Sequence, residues 1–182
     1  MEEHVTETAP HPFDPAIEIL LDRAEQFCAD RRTRLTDIRR LVLGLILQSS
    51  TPVGAYDLLD RLRDQHRGAA PPTVYRALDF LADQGLIHRI ERLAAFVGCG
   101  HMLECDHGGH CGHRAQFLIC KRCGATQELE DRRIGEALSD AAARAGFAVE
   151  QSTIEIEGIC AACRTMPEDA GSKLRAVAPR VG

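Results

Sequence analysis

Two C-x-x-C knuckles, Cys120-Lys121-Arg122-Cys123 and Cys160-Ala161-Ala162-Cys163, constrain the fold of this chain more than any other feature. Two thiolates separated by two residues can bind one metal ion, and two such pairs complete a tetrahedral site with no open position. Four soft thiolates suit Zn²⁺, a d¹⁰ ion with no geometric preference of its own. The 36 residues between Cys123 and Cys160 exceed the loop of a simple zinc ribbon and can hold strands and a helix. The knuckles therefore predict a structural zinc that closes a small domain. Two disulfides or four unrelated core cysteines are the competing readings.

The reducing setting that favours metal ligands over disulfides is itself read from the sequence. The acidic start, Met1-Glu2-Glu3-His4, has neither the positive region nor the apolar stretch of a secretory signal, which points to the cytoplasm. The longest apolar run, 41–47, contains Gly44 and is far too short to cross a bilayer, so no membrane partner is expected. At 182 residues the chain can form one large domain or two small ones. Charge is uneven: residues 30–92 carry eleven Arg and no Lys against eight Asp or Glu, on a chain whose net charge is −5. A locally basic half can bind nucleic acid even on an acidic protein, because attraction depends on the patch. A merely solvated surface explains the same excess.

Residues 1–15 read as a flexible arm. Ile17, Leu20, Leu21, Ala24, Phe27 and Cys28 recur at helical spacing. Thr36 can N-cap a second helix with Ile38, Leu41, Val42 and Leu45 on its apolar face. Ala55, Leu58, Leu59 and Leu62 build a third helix after Pro52. Pro71 and Pro72 start a fourth, with Val74, Ala77, Leu78 and Leu81 inward and Gly85 as its stop. Two strand-like runs, 86–90 and 94–97, then flank the turn Glu91-Arg92-Leu93. Helices followed by a hairpin outline a winged helix-turn-helix domain over 16–97, in which the helix from Thr73 to Gln84 would enter the major groove, although helical bundles without DNA partners share this pattern. Thr73, Tyr75 and Arg76 open that helix, and the Arg76 fork suits guanine O6 and N7.

Residues 98–112 form a linker rich in Gly, His and Cys that cannot bury a core. Beyond it, 116–120 and 126–129 read as strands, 132–145 as a helix and 148–157 as a third strand, an α/β unit over 113–164 that ends at the second knuckle. Residues 165–182 read as a disordered tail.

These stretches carry a family likeness. Arg34-Leu35-Thr36, Ala55-Tyr56-Asp57-Leu58-Leu59, the run Pro71-Pro72-Thr73-Val74-Tyr75-Arg76-Ala77-Leu78-Asp79-Phe80-Leu81, Phe117-Leu118-Ile119-Cys120 with Cys123-Gly124, and the second knuckle resemble the ferric uptake regulator family over residues 17–164. The resemblance is strongest to the zinc-responsive branch. It implies an α+β fold, with an N-terminal winged-helix domain and a C-terminal α/β dimerisation domain holding structural zinc. It also implies a homodimer that binds double-stranded operator DNA when zinc-loaded and represses zinc-uptake genes.

By the same resemblance a regulatory zinc takes His88, Cys99, His113 and Glu128, two ligands from each domain, and so fixes the angle between them. The thiolate of Cys99 favours zinc over ferrous iron. Extra residues in the linker depart from the family pattern. His110 or Cys111 can replace His113, and Cys105, His107, His110 and Cys111 offer a third zinc site. Tyr56 as a base contact is a carry-over from the family. Asp60 and Arg63 pair either across adjacent dimers on one operator or locally along their own helix.

Other function classes fit less well. A zinc hydrolase needs an open coordination position, whereas both proposed sites are closed. The sequence has no H-E-x-x-H, nucleophile elbow or phosphate loop, so no enzyme activity and no small organic substrate are expected. A zinc-stapled interaction module leaves the segment 73–80 unexplained, and an iron or peroxide sensor of the same family leaves Cys99 unexplained.

Overall fold

The computed structural model describes residues 12–66, 68–100, 115–129, 131–149 and 152–165. The chain divides between 109 and 110 into two compact units. Most of the arm, the linker from 101 onward and the tail beyond 165 lie outside the described residues.

In the first unit, Pro15 at the start and the Asp14 carboxylate, which accepts from the N–H groups of Ala16 and Ile17, launch α1 (Pro15–Asp30). Its stripe of Ile17, Leu21, Ala24 and Cys28 is buried. Helix α2 (Asp37–Leu47) begins at Thr36, but the hydroxyl makes no capping bond and only the extended backbone of that residue marks the boundary. The sequence assigns α2 one apolar face. The structure instead buries the continuous run from Val42 to Ile46, because α2 packs against α1, α3, α4 and β3 and its second half has no solvent side. Gly44 belongs to that crowding: a Cβ there would collide with the Phe13 ring.

Strand β1 (Val53–Gly54) leads into α3 (Ala55–Gln65), which buries Leu58, Leu59 and Leu62. Helix α4 (Pro71–Asp83) has both prolines in its first turn, where a missing N–H costs nothing. It buries Val74, Ala77, Leu78 and Leu81. Gly85 at φ +72° ends it, with Leu86 N–H reaching the Leu81 carbonyl and Gly85 N–H the Ala82 carbonyl.

The expected hairpin forms as β2 (Ile87–Ile90) and β3 (Ala95–Gly98) around a 3₁₀ turn. It carries a third strand that the periodicity did not reveal. β1 pairs antiparallel with β3, Val53 opposite Phe96, giving the order β1-β3-β2. Two residues are too few to show an alternating pattern.

The second unit is a three-stranded sheet, β4 (Ala115–Cys120), β5 (Thr126–Glu128) and β6 (Thr153–Gly158), with α5 (Arg132–Arg144) between β5 and β6 in sequence. The order is β5-β4-β6, antiparallel to β5 and parallel to β6. β6 starts five residues later than the sequence suggests, and 148–149 have no regular structure. A short helix, α6 (Ala161–Thr165), follows and carries Cys163. The core here is thin: Ala115, Phe117, Ile119, Cys120 and Cys163 are buried, while α5 buries only Gly135.

One ion-pair network ties α1 to α2. The Arg40 guanidinium reaches Glu18 at 2.7 Å, Asp22 at 2.6 Å and Glu25 at 3.1 Å. Glu18 is buried, so removing Arg40 strips a buried carboxylate of a charged donor. Arg40→Met is expected to destabilise the first unit by about 1–3 kcal/mol, read from the urea unfolding midpoint.

Candidate metal centre and DNA-facing helix

The four knuckle cysteines converge in the second unit. β4 delivers Cys120 at its last residue, the following turn returns Cys123, and the end of β6 with α6 supplies Cys160 and Cys163. All four sulfurs lie within 4.8 Å of one another, and Cys123 Sγ is 3.8 Å from Cys160 Sγ. A disulfide needs sulfurs about 2.05 Å apart, so this spacing is not one. Tetrahedral zinc with Zn–S bonds of about 2.3 Å separates its sulfurs by about 3.8 Å, and the donor set fits that ion.

Backbone bonds hold the cluster. Gly124 at φ +74° lets the first knuckle turn back, and the Cys160 N–H donates to Cys120 Sγ at 3.3 Å. Burial raises the Cys120 thiol, but donors from the Cys160, Cys123 and Arg122 backbone outweigh it and bring it down to about 6. Burial and the neighbouring thiols of Cys160, Cys123 and Cys120 push Cys163 up to about 12. The Cys120 thiolate forms readily while Cys163 resists ionisation beside it, which is the situation a divalent cation relieves.

In the first unit, His88 on β2 faces Val97 on β3, and Cys99 continues the ladder with its N–H on the Leu86 carbonyl. His88 and Cys99 are diagonal neighbours on one face, with ligand atoms within 4.8 Å, and Cys99 is 0% exposed. Glu128 is the last residue of β5 in the second unit, opposite Phe117. His113 and the linker ligands Cys105, His107, His110 and Cys111 lie outside the described residues.

The outward side of α4 presents Tyr75 and Arg76, with Thr73 half-buried in the first turn. Tyr75 is 45% exposed and so is not packed into the core. Tyr56, in the first turn of α3, is 69% exposed. Arg63 pairs with Asp60 of its own helix at 3.4 Å, the local arrangement. The sequence reading passed over two arginines that shape this region. Arg39 lies over the Phe80 ring at 3.5 Å and bonds the Arg34 carbonyl, pinning α2 to α4. Arg40 is absorbed by its three carboxylates, so it adds little to the basic patch.

The profile of the ferric uptake regulator family matches residues 30–157. The chain belongs to the ferric uptake regulator family. Within that family it is 42% identical over 144 residues to the zinc uptake regulation protein of Escherichia coli (strain K12), covering 79% of this chain and 81% of that protein. The zinc uptake regulation protein of Mycobacterium tuberculosis (strain ATCC 25618 / H37Rv) is 32% identical over 111 residues, 61% of this chain and 79% of that one. A solved structure of a zinc uptake regulator complexed with zinc and DNA superposes with a TM-score of 0.74 at 40% identity, covering 83% of this chain and 97% of that one. Holo XcZur superposes at 0.70 with 42% identity, covering 80% and 97%. The family is one of transcriptional regulators. No helix among the described residues is long and apolar enough to cross a membrane.

Cys160→Ser removes one thiolate from a unit whose core is thin. The expected outcome is loss of the second unit's calorimetric transition, since structural zinc contributes on the order of 10 kcal/mol to folding in small metal domains. The first unit, whose core holds no part of this cluster, melts unchanged.

Proposed function

We propose that this protein is a zinc-responsive transcriptional repressor: a cytoplasmic homodimer whose zinc-loaded form binds operator DNA and lowers transcription of zinc-uptake genes. The observation that carries the reading is the combination, in one winged-helix unit, of an outward-facing α4 with Tyr75 and Arg76 and a buried Cys99 beside His88. The likeness to zinc uptake regulation proteins supports the choice of zinc, as does the softness of the Cys99 thiolate.

In this reading Cys120, Cys123, Cys160 and Cys163 hold the structural zinc. His88, Cys99, His113 and Glu128 hold the regulatory one, so each chain binds at least two. Imidazole, thiolate and carboxylate all suit tetrahedral zinc at about 2.0–2.3 Å. With ligands drawn from both domains, occupied and empty protein differ in inter-domain angle, and in a dimer that angle sets the spacing of the two α4 helices. DNA and zinc then favour one arrangement, and each raises affinity for the other. Shifting the population from mostly open to mostly closed takes on the order of 5 kcal/mol, well within the reach of one zinc site.

The dimer reading draws on the second unit, where Leu118, Leu138, Ile156, Ile159 and the 69% exposed Phe147 leave apolar surface for a second copy to cover. An exposed pair such as Asp60–Arg63 contributes under about 1 kcal/mol, so it opens readily toward a neighbouring dimer on the same operator.

Selection from a random pool of double-stranded DNA tests the function. With zinc present, a two-fold symmetric sequence is expected to enrich, and with a chelator none. Enrichment independent of zinc, or none in either condition, contradicts the proposal. On the selected operator, Arg76→Ala is expected to weaken binding by about 1–3 kcal/mol and relax the preference at one base position, measured by anisotropy at fixed salt.

A further inference from the structure

Arg122 sits inside the first knuckle, between Cys120 and Cys123, yet its side chain bonds the second. Its Nη1 donates to the carbonyl oxygen of Cys163, one of the two buried thiol residues of the cluster. Further contacts reach from the first knuckle to the chain around the second: Cys123 Sγ lies 3.8 Å from Cys160 Sγ, Cys160 N–H donates to Cys120 Sγ at 3.3 Å and Lys121 N–H to the Gly158 carbonyl at 2.9 Å. These act at or before Cys160, where the chain has just left β6. Cys163 lies beyond them, on a helix of five residues. So short a helix does not hold its own shape. Its internal bonds, Cys163 N–H to Cys160 Sγ at 3.5 Å and Arg164 N–H to the Cys160 carbonyl at 2.9 Å, stay within the second knuckle and do not tether it to the first.

We infer that Arg122 is a positioning residue for the four-thiol centre, latching Cys163 through its carbonyl so that the second knuckle cannot swing away from the first. The inference rests on the reading of this cluster as a zinc site. Arginine suits the task chemically. Its guanidinium stays charged, keeps several donors in one plane and tolerates partial burial. Four thiolates around a divalent cation leave two negative charges, and Arg122 places a positive one beside them from a half-buried position. Its neighbour Lys121 is exposed, so a cation in the knuckle does not by itself acquire this contact. Without the latch, the ion is lost by opening at Cys163 first, with Cys160 next and the β4 knuckle last.

The test is pulsed alkylation of zinc-loaded full-length protein with N-ethylmaleimide in excess chelator. Peptide mapping follows each of the four thiols, and zinc per chain is counted in parallel. In Arg122→Ala, zinc loss is expected to quicken about tenfold or more, the usual scale for losing an outer contact of a metal site. Cys160 and Cys163 are modified before Cys120 and Cys123. Arg122→Lys, which keeps the charge and a donor, falls between that variant and the wild type, and Lys121→Ala matches the wild type. Wild-type rates in Arg122→Ala overturn the inference, as does simultaneous exposure of all four thiols, which a general loss of stability would produce. Should Arg122→Ala fail to fold, the order of modification in Arg122→Lys decides the question. Wild-type protein that carries no zinc on these thiols overturns the underlying zinc reading instead, and the zinc count shows that separately.

Discussion

The convergence of four sulfurs at one end of a three-stranded sheet is the constraint on which the second unit depends. β4 and β6 run parallel, a pairing that requires a long crossover and gives slightly less per residue than an antiparallel ladder. The crossover helix α5 buries almost nothing within its own chain, and among the described residues Phe117 and Ile119 are the only large apolar side chains in the core of this unit. Hydrophobic burial of that size does not hold so open a unit. In the proposed reading, a cation shared by Cys120, Cys123, Cys160 and Cys163 joins the ends of β4 and β6 directly, and a second copy over the exposed apolar face completes the stabilisation. Metal and partner thus take the place of core, as expected for small domains.

The first unit rests on a different physical basis. Its core is continuous from Phe13 to Phe96, and α2 runs through the middle of it. That packing fixes α4, whose inward residues Val74, Ala77, Leu78 and Leu81 leave Tyr75 and Arg76 no choice but to face out. The same unit carries His88 on β2 and Cys99 immediately after β3. A ligand held there acts on a preformed element, so it has no need to fold the DNA-facing helix. It needs only to choose where that helix is presented. On the proposed assignment, zinc serves folding in one unit and sensing in the other.

Much of this was legible in the sequence because the relevant signals are local. Proline at 71 and 72, glycine at 85 and four apolar residues between them specify α4 almost to the residue. The knuckle spacing specifies the thiol cluster without any structure. What escaped depends on contacts distant in sequence or on backbone that no residue type announces. β1 is a strand only because β3 lies beside it. α1 ends with Arg32 at φ +56°, a position usually given to glycine, held by Thr33 bonding back to the Cys28 carbonyl by both N–H and hydroxyl. α2 shows five consecutive buried residues because neighbours surround it, which periodicity cannot foresee. Arg122 reads as a charged filler between two cysteines until its guanidinium is seen on the Cys163 carbonyl.

The proposal gives zinc two roles: at a second, weaker site it governs DNA binding, and at the four thiols it holds the fold. Native mass spectrometry during graded chelation, with operator affinity measured on the same samples, separates the two roles. One zinc per chain is expected to resist the chelator and at least one to leave early, with DNA affinity falling as the early zinc departs. A protein that keeps full operator affinity after losing every labile zinc, or that carries the resistant zinc alone and still binds, would contradict it.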